Sequence, residues 1–110
     1  MSNIDWSKMK TAEDKAVEAA EGLRSAIVAA IDAHVNGTAR ARDYNSADSL
    51  AGYVNSGVAP WAAEAQAFVD WRDSVWQAAY GMLADVQSGE MAPPTPAEAV
   101  AALPEITWPA

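Results

Sequence analysis

Few side chains in this sequence are of a type and spacing that support reaction chemistry. The single histidine, His34, needs an orienting partner and a nucleophile or water site to act as a general base. Asp32 lies two positions away and points elsewhere around a helix. His34 therefore reads as a residue near a helix C-terminus, where a cation interacts favourably with the dipole. Two carboxylates can do glycosidase-type work when they face each other across a cleft. Asp70 and Asp73 instead stand three apart on one helical face, the ordinary pattern of solvated residues. Ser74, within WRDSVW, has no glycine elbow around it. The absence of cysteine excludes disulfides, thiolate metal sites and thiol nucleophiles. There is no glycine-rich phosphate loop and no His/Asp metal spacing. The expectation is a non-enzymatic chain with no catalytic residue, no metal site and no cofactor.

Three other groups of residues point to binding or to structural ties. Glu64 falls between Trp61 and Phe68 on an aromatic helical face, about one turn from each. A carboxylate is costly to bury unpaired, so Glu64 either pairs with Arg40 or Arg42 or reaches out to water. Arg72 can stack on an aromatic ring or pair with Asp70 or Asp73. The closing Trp108-Pro109-Ala110 places a large amphipathic ring on an extended end. Such a ring either folds back into its own domain or meets a partner.

The element that must position these residues is Pro60 to Ser88. It holds Trp61, Trp71 and Trp76, three of the five tryptophans, together with Tyr80 and the only phenylalanine, Phe68. Pro60 suits the first turn of a helix, and Gly89 sits where a left-handed residue commonly ends one. Trp61, Ala65, Phe68, Val75, Ala79, Met82 and Val86 form one stripe, widened by Trp71, Trp76, Tyr80 and Leu83. A stripe this wide requires more than one partner.

An earlier helix is predicted over 12–36. Thr11 is its cap and Asp14 its capping-box partner; Val17, Ala20, Leu23, Ile27 and Ile31 recur at helical spacing, and Asn36-Gly37 ends it. Its alanines allow a partner helix to approach closely. Ser46 is a plausible cap for a short middle helix over 47–55 that buries Leu50. Thr95-Pro96-Ala97-Glu98 is a full start signal for a last helix of about two turns, stopped by Pro104. Residues 1–10, with Ile4, Trp6 and Met9, read as an N-terminal arm, 11–103 as the helical domain and 104–110 as an extended tail. The fold expected is all-α: a small bundle of two long antiparallel helices and two short ones.

The chain has 110 residues and a formal charge of −8. That is enough for one modest domain. After Arg72 there is no Lys or Arg, while Asp73, Asp85, Glu90, Glu98 and Glu105 follow. An acidic surface repels nucleic acid and anionic membranes, and no apolar run approaches the ~20 residues that span a bilayer. Neither is expected as a partner. An aromatic face wider than the cover available points to self-association, as a symmetric dimer or by a three-fold match.

The last 70 or so residues resemble the C-terminal parts of small proteins encoded in tailed-phage tail gene clusters, identified as tail or tail-fibre assembly chaperones or as tail-fibre-associated structural components. The resemblance lies in the set Trp71, Arg72, Asp73, Val75 and Trp76. It extends to Gly89, Pro93, Pro94, Thr95 and Glu98, to Leu103-Pro104 and Trp108-Pro109, and to the segment 39–44. It implies no enzyme, no cofactor and a protein partner, namely a phage tail or tail-fibre protein. It also implies a location in the host cytoplasm during assembly. The alternative is a structural component that stays in the virion tail, attaching fibres or decorating the tail or baseplate. Trp61, Trp71, Arg72, Trp76, Trp108 and Pro109 are the expected partner-binding residues, and Glu64, Arg40 and Arg42 the expected ion-pair residues.

Overall fold

Four start signals and two left-handed stops divide the chain into helices. The computed structural model describes residues 11–110; the expected arm, 1–10, lies outside the described residues. These hold four helices and no strand: α1 (Ala12–Ala41), α2 (Ala47–Ala51), α3 (Ala59–Gln87) and α4 (Pro96–Ala101). Thr11 and Thr95 each form the reciprocal capping box that their sequences predict, with Asp14 and Glu98 respectively. Ser46 caps α2 by accepting the Ser49 N–H at 3.1 Å. α3 starts without a side-chain cap, with Pro60 in its first turn, where an N–H has no helical acceptor.

The first helix does not end at Asn36-Gly37; it continues to Ala41. Asn36 is engaged across the helix pair instead. Its Oδ1 accepts the Ala47 N–H at 2.9 Å, fixing the start of α2 against α1. The stop comes at Asp43, which adopts φ 72°. The Tyr44 N–H bonds to Ala39 O and the Asp43 N–H to Arg40 O, which closes a Schellman motif with aspartate in the place glycine usually takes. α3 ends the same way with the expected residue: Gly89 has φ 81°, and the Glu90 and Gly89 N–H groups bond to Asp85 O and Val86 O. The middle helix is shorter than expected, giving way to turns after Ala51.

The longer α1 moves His34 about two turns away from the helix C-terminus, so the dipole reading of His34 does not hold. Its ring instead meets Trp71 edge-on, with centroids 5.7 Å apart. That contact, the Arg42–Glu64 pair and the facing of Leu23 and Ile27 to Leu83 and Val86 set α1 and α3 antiparallel. The fold is the small all-α bundle, with two long and two short helices.

The packing partners are distributed by side-chain size. The alanine-rich α1 is approached most closely by α4, whose Ala99 is fully buried, whereas α1 and α3 come within 8 Å at few Cα positions. Bulky rings hold them apart, as ridges of large residues do. The core is formed by Ile31, Val35, Ala39, Ala47, Leu50, Ala65, Phe68, Trp71, Val75 and Leu103. All of it lies at one end of the long pair. Toward the N-terminus of α1 the described helix has no buried residue before Ile31, a stretch of about 28 Å at about 1.5 Å per residue.

Candidate functional site

Where the core stops, α1 and α3 continue and leave an apolar groove of about 330 Å³ between them. Its walls are Leu23, Ile27 and Val28 of α1 and Tyr80, Leu83 and Val86 of α3, with Pro93 and Pro94 closing one side. These residues recur at helical spacing and belong to the stripes that bury Ile31 and Val75 further along. Here α4 reaches them only at Ala99, and α2 does not line the groove. Tyr80 is 66% exposed and Val28 40%. None of the groove residues except Trp76 was singled out as a binding residue by sequence reasoning. The signal available was the width of the α3 stripe, which exceeds what α1 alone covers.

The other expected binding residues are dispersed. Trp71 is buried in the core, and its Nε1 donates to Pro104 O at 2.8 Å. Trp108 folds back rather than projecting: it is half-buried and stacks on Phe68, with rings 6.4 Å apart and 8° from parallel. Pro109 beside it is half-buried. Arg72 turns neither to Asp70 nor to Asp73; its Nη1 lies 3.9 Å from Asp48 of α2 and its guanidinium 5.9 Å from the Phe68 ring. Trp76 is half-buried and lines the groove. Trp61 sits at the opposite end of α3, 47% exposed, edge-on to Tyr53 at 5.8 Å; Tyr53 in turn meets Tyr44 at 5.7 Å. Trp71 and Trp108 thus share Phe68, while Trp61 and Trp76 face separate regions.

The ion pair forms between Glu64 and one of its two expected partners. Arg42 Nε donates to Glu64 Oε2, and the Arg42 guanidinium lies 5.0 Å from the Trp108 ring. Arg40 is used locally, donating to Asn45 O at 3.2 Å. Arg42 therefore joins the end of α1, the start of α3 and the C-terminal segment. Next to this pair, burial pushes the Tyr44 phenol above its ordinary pKa; Glu64 and Tyr53 push the same way, and Arg42 opposes them.

Among the described residues no polar or charged side chain is buried, and no group of three or more His, Cys, Asp or Glu is placed to hold a metal ion. Nor is any described helix long and apolar enough to cross a membrane. What the arrangement offers is an apolar trough flanked by charged helix faces, suited to a protein segment. No protein-family model, characterised protein or solved structure matches the chain.

Proposed function

We propose that this chain is a protein-binding helical module, and that it serves tailed-phage tail or tail-fibre assembly as a chaperone. One observation carries the binding reading: the open apolar groove between α1 and α3 beyond the core. Apolar surface continuous with a core and left open at one end is the common mark of an interaction site. The resemblance of the segment from Trp71 to Pro109 to tail-cluster proteins supplies the phage setting. The module acts in the host cytoplasm and leaves its client when the tail is complete.

The experiment is co-expression of the tagged chain with the tail and fibre proteins of a phage that encodes it, followed by mass spectrometry of purified particles. Capture of one tail or fibre protein, with the module missing from mature particles, is the expected result. Recovery in particles at stoichiometric copy number overturns the chaperone role in favour of a structural tail component. Capture of none of these proteins overturns the phage reading itself.

A further inference from the structure

The open half of α1 carries a stripe that reads the same way in both directions. Val17, Glu21, Arg24 and Val28 are spaced four, three and four apart, which sets them within about 60° of one another around the helix. All of them are exposed. We propose that this stripe pairs antiparallel, about a two-fold axis, with the same stripe of a second copy of this chain, so that two modules join through their α1 helices. The inference rests on the protein-binding reading above and deepens it, since the protein held at this edge of the groove is a second copy.

The stripe continues the one that builds the core. Ile31 and Val35, both buried, extend the same alternation of four and three, which is the repeat of a helix–helix seam. From Ile31 onward the seam is covered within the chain, and α4 is the helix that approaches α1 most closely. Before Ile31 that cover is gone: Val17 is 56% exposed and Val28 40%. At the other end Asp14 is tied into the capping box with Thr11. The free part of the seam is therefore 17–28, about 16 Å at helical rise. A helix that takes it lies where α4 leaves off.

The charges in the seam select the occupant. Glu21 and Arg24 fill its two middle positions, and neither forms a salt bridge among the described residues. A wholly apolar helix laid on the seam would desolvate both without a partner, which is costly. A two-fold axis midway between them sets Glu21 opposite Arg24 of the second copy and Arg24 opposite that copy's Glu21. The same operation brings Val17 against Val28 of the second copy at each end. One acid and one base are thus enough for two ion pairs, flanked by two apolar pairs. A parallel pairing instead sets each residue beside its own equivalent, Glu21 on Glu21 and Arg24 on Arg24, and like charges across an interface are costly. The charges therefore fix the direction of the pairing as well as the partner.

Charge reversal tests the pairing, read by sedimentation equilibrium of the full chain. A contact of about three turns is a small, transient interface, so the parent should pass from monomer to dimer across about 10–500 µM. Glu21→Arg makes both middle positions basic, and Arg24→Glu makes both acidic. Each of these chains alone should dimerise at least about tenfold more weakly than the parent. Mixed in equal amounts, the two should form a dimer at least as tight as the parent's. The double variant, Glu21→Arg with Arg24→Glu, reverses the stripe and should dimerise as the parent does. Both side chains are exposed, so helix content by circular dichroism should be unchanged. Cross-linking reads the register, which the absence of cysteine allows. A Val17→Cys chain and a Val28→Cys chain, oxidised together, should form a mixed disulfide dimer. Neither should form one alone, because each position lies about 16 Å along the axis from its own equivalent. A parent that stays monomeric over the whole range, a dimer indifferent to either reversal, or reversed chains that do not pair when mixed overturns the proposal. So does cross-linking of each cysteine chain to itself, because the pairing is then parallel. If tail proteins are captured by a chain that stays monomeric, this inference fails and the assembly reading stands. A dimer that pairs in this way and captures no tail protein has the opposite meaning.

Discussion

Trp71 donates its indole N–H to the carbonyl oxygen of Pro104, 2.8 Å away and 33 positions along the chain. This bond fixes the point at which α4 has ended and the extended segment begins, next to buried Leu103. Pro104 has no N–H of its own, so its carbonyl is the backbone group available to tie down here. The ring that makes the bond also packs on Phe68, at 5.7 Å, and meets His34 of α1. A single side chain of α3 thus holds both α1 and the C-terminal segment, while Trp108 stacks on the same Phe68.

Replacing Trp71 by phenylalanine keeps an aromatic ring and removes the donor. The expected loss is about 1–2 kcal/mol of unfolding free energy, the net value of one hydrogen bond plus a small packing deficit. Trp71→Ala should cost about 3–5 kcal/mol, as expected for a buried tryptophan. Urea denaturation followed by circular dichroism reads both. An equal loss in the two variants would mean that the hydrogen bond, not the ring's volume, dominates.

Arg42 has two attachments, and a mutant cycle separates them. Its side chain is 42% exposed and that of Glu64 18%, so the ion pair is a partly solvated one. The coupling between Arg42→Ala and Glu64→Gln should be about 0.5–1 kcal/mol, decreasing in high salt. Arg42→Ala alone should cost more than Glu64→Gln by a further ~0.5–1 kcal/mol, the contribution of its approach to the Trp108 ring. In a Trp108→Leu background that excess should vanish. If it persists, the guanidinium's contact with the ring contributes nothing.

These two relationships also show how much was legible in the sequence. Glu64 stood out because a carboxylate on an aromatic face is costly to bury unpaired, and the sequence left it either paired with Arg40 or Arg42 or reaching out to water. The choice depended on where α1 ends, since the helix must continue past Gly37 to bring Arg42 over Glu64. Local stop signals placed the end at Asn36-Gly37, but tertiary use of the Asn36 side chain by Ala47 N–H overrides them. Helix number, caps and the aromatic stripe were legible because each depends on residues within one or two turns. The groove was legible only as excess width. Its position depends on α4 taking the close seat on alanine-rich α1, a choice that joins residues some 70 positions apart and leaves no local trace.

The capping box at Thr95 gives α4 a pH dependence. The Thr95 backbone N–H donates to Glu98 Oε1 at 3.0 Å, and this bond, joined by the Thr95 side chain, holds the Glu98 carboxyl below its usual pKa. A group depressed in the folded state stabilises it above the unfolded pKa, and that contribution is lost as pH falls through the folded value. Helix α4 should therefore loosen on the acid side, below about pH 4.3. Protection factors for amide exchange at Ala99 and Val100 should fall there in the parent and become less pH-sensitive in Glu98→Gln. Thr95→Ala should cost about 1 kcal/mol at neutral pH, the usual value of an N-cap. An acid profile unchanged by Glu98→Gln would assign the loosening to other carboxylates.

The two helix stops should respond to substitution with opposite signs. Gly89 and Asp43 occupy equivalent places in Schellman motifs, with φ of 81° and 72°. Glycine adopts that conformation without steric cost, whereas an L-residue with a Cβ does not. No atom lies within 4 Å of a Cβ built on Gly89, so Gly89→Ala tests backbone strain free of any clash. It should cost about 1 kcal/mol. Asp43→Gly should relieve strain at the end of α1 and leave stability unchanged or raised by up to ~1 kcal/mol, reduced by the added freedom of the unfolded chain. Asp43→Val should be the most damaging of the three, because a β-branched residue is least tolerant of positive φ. Thermal unfolding of the three variants against the parent gives the order. A stabilising Gly89→Ala, or an Asp43→Val equal to the parent, would show that these positions do not hold the left-handed conformation in solution.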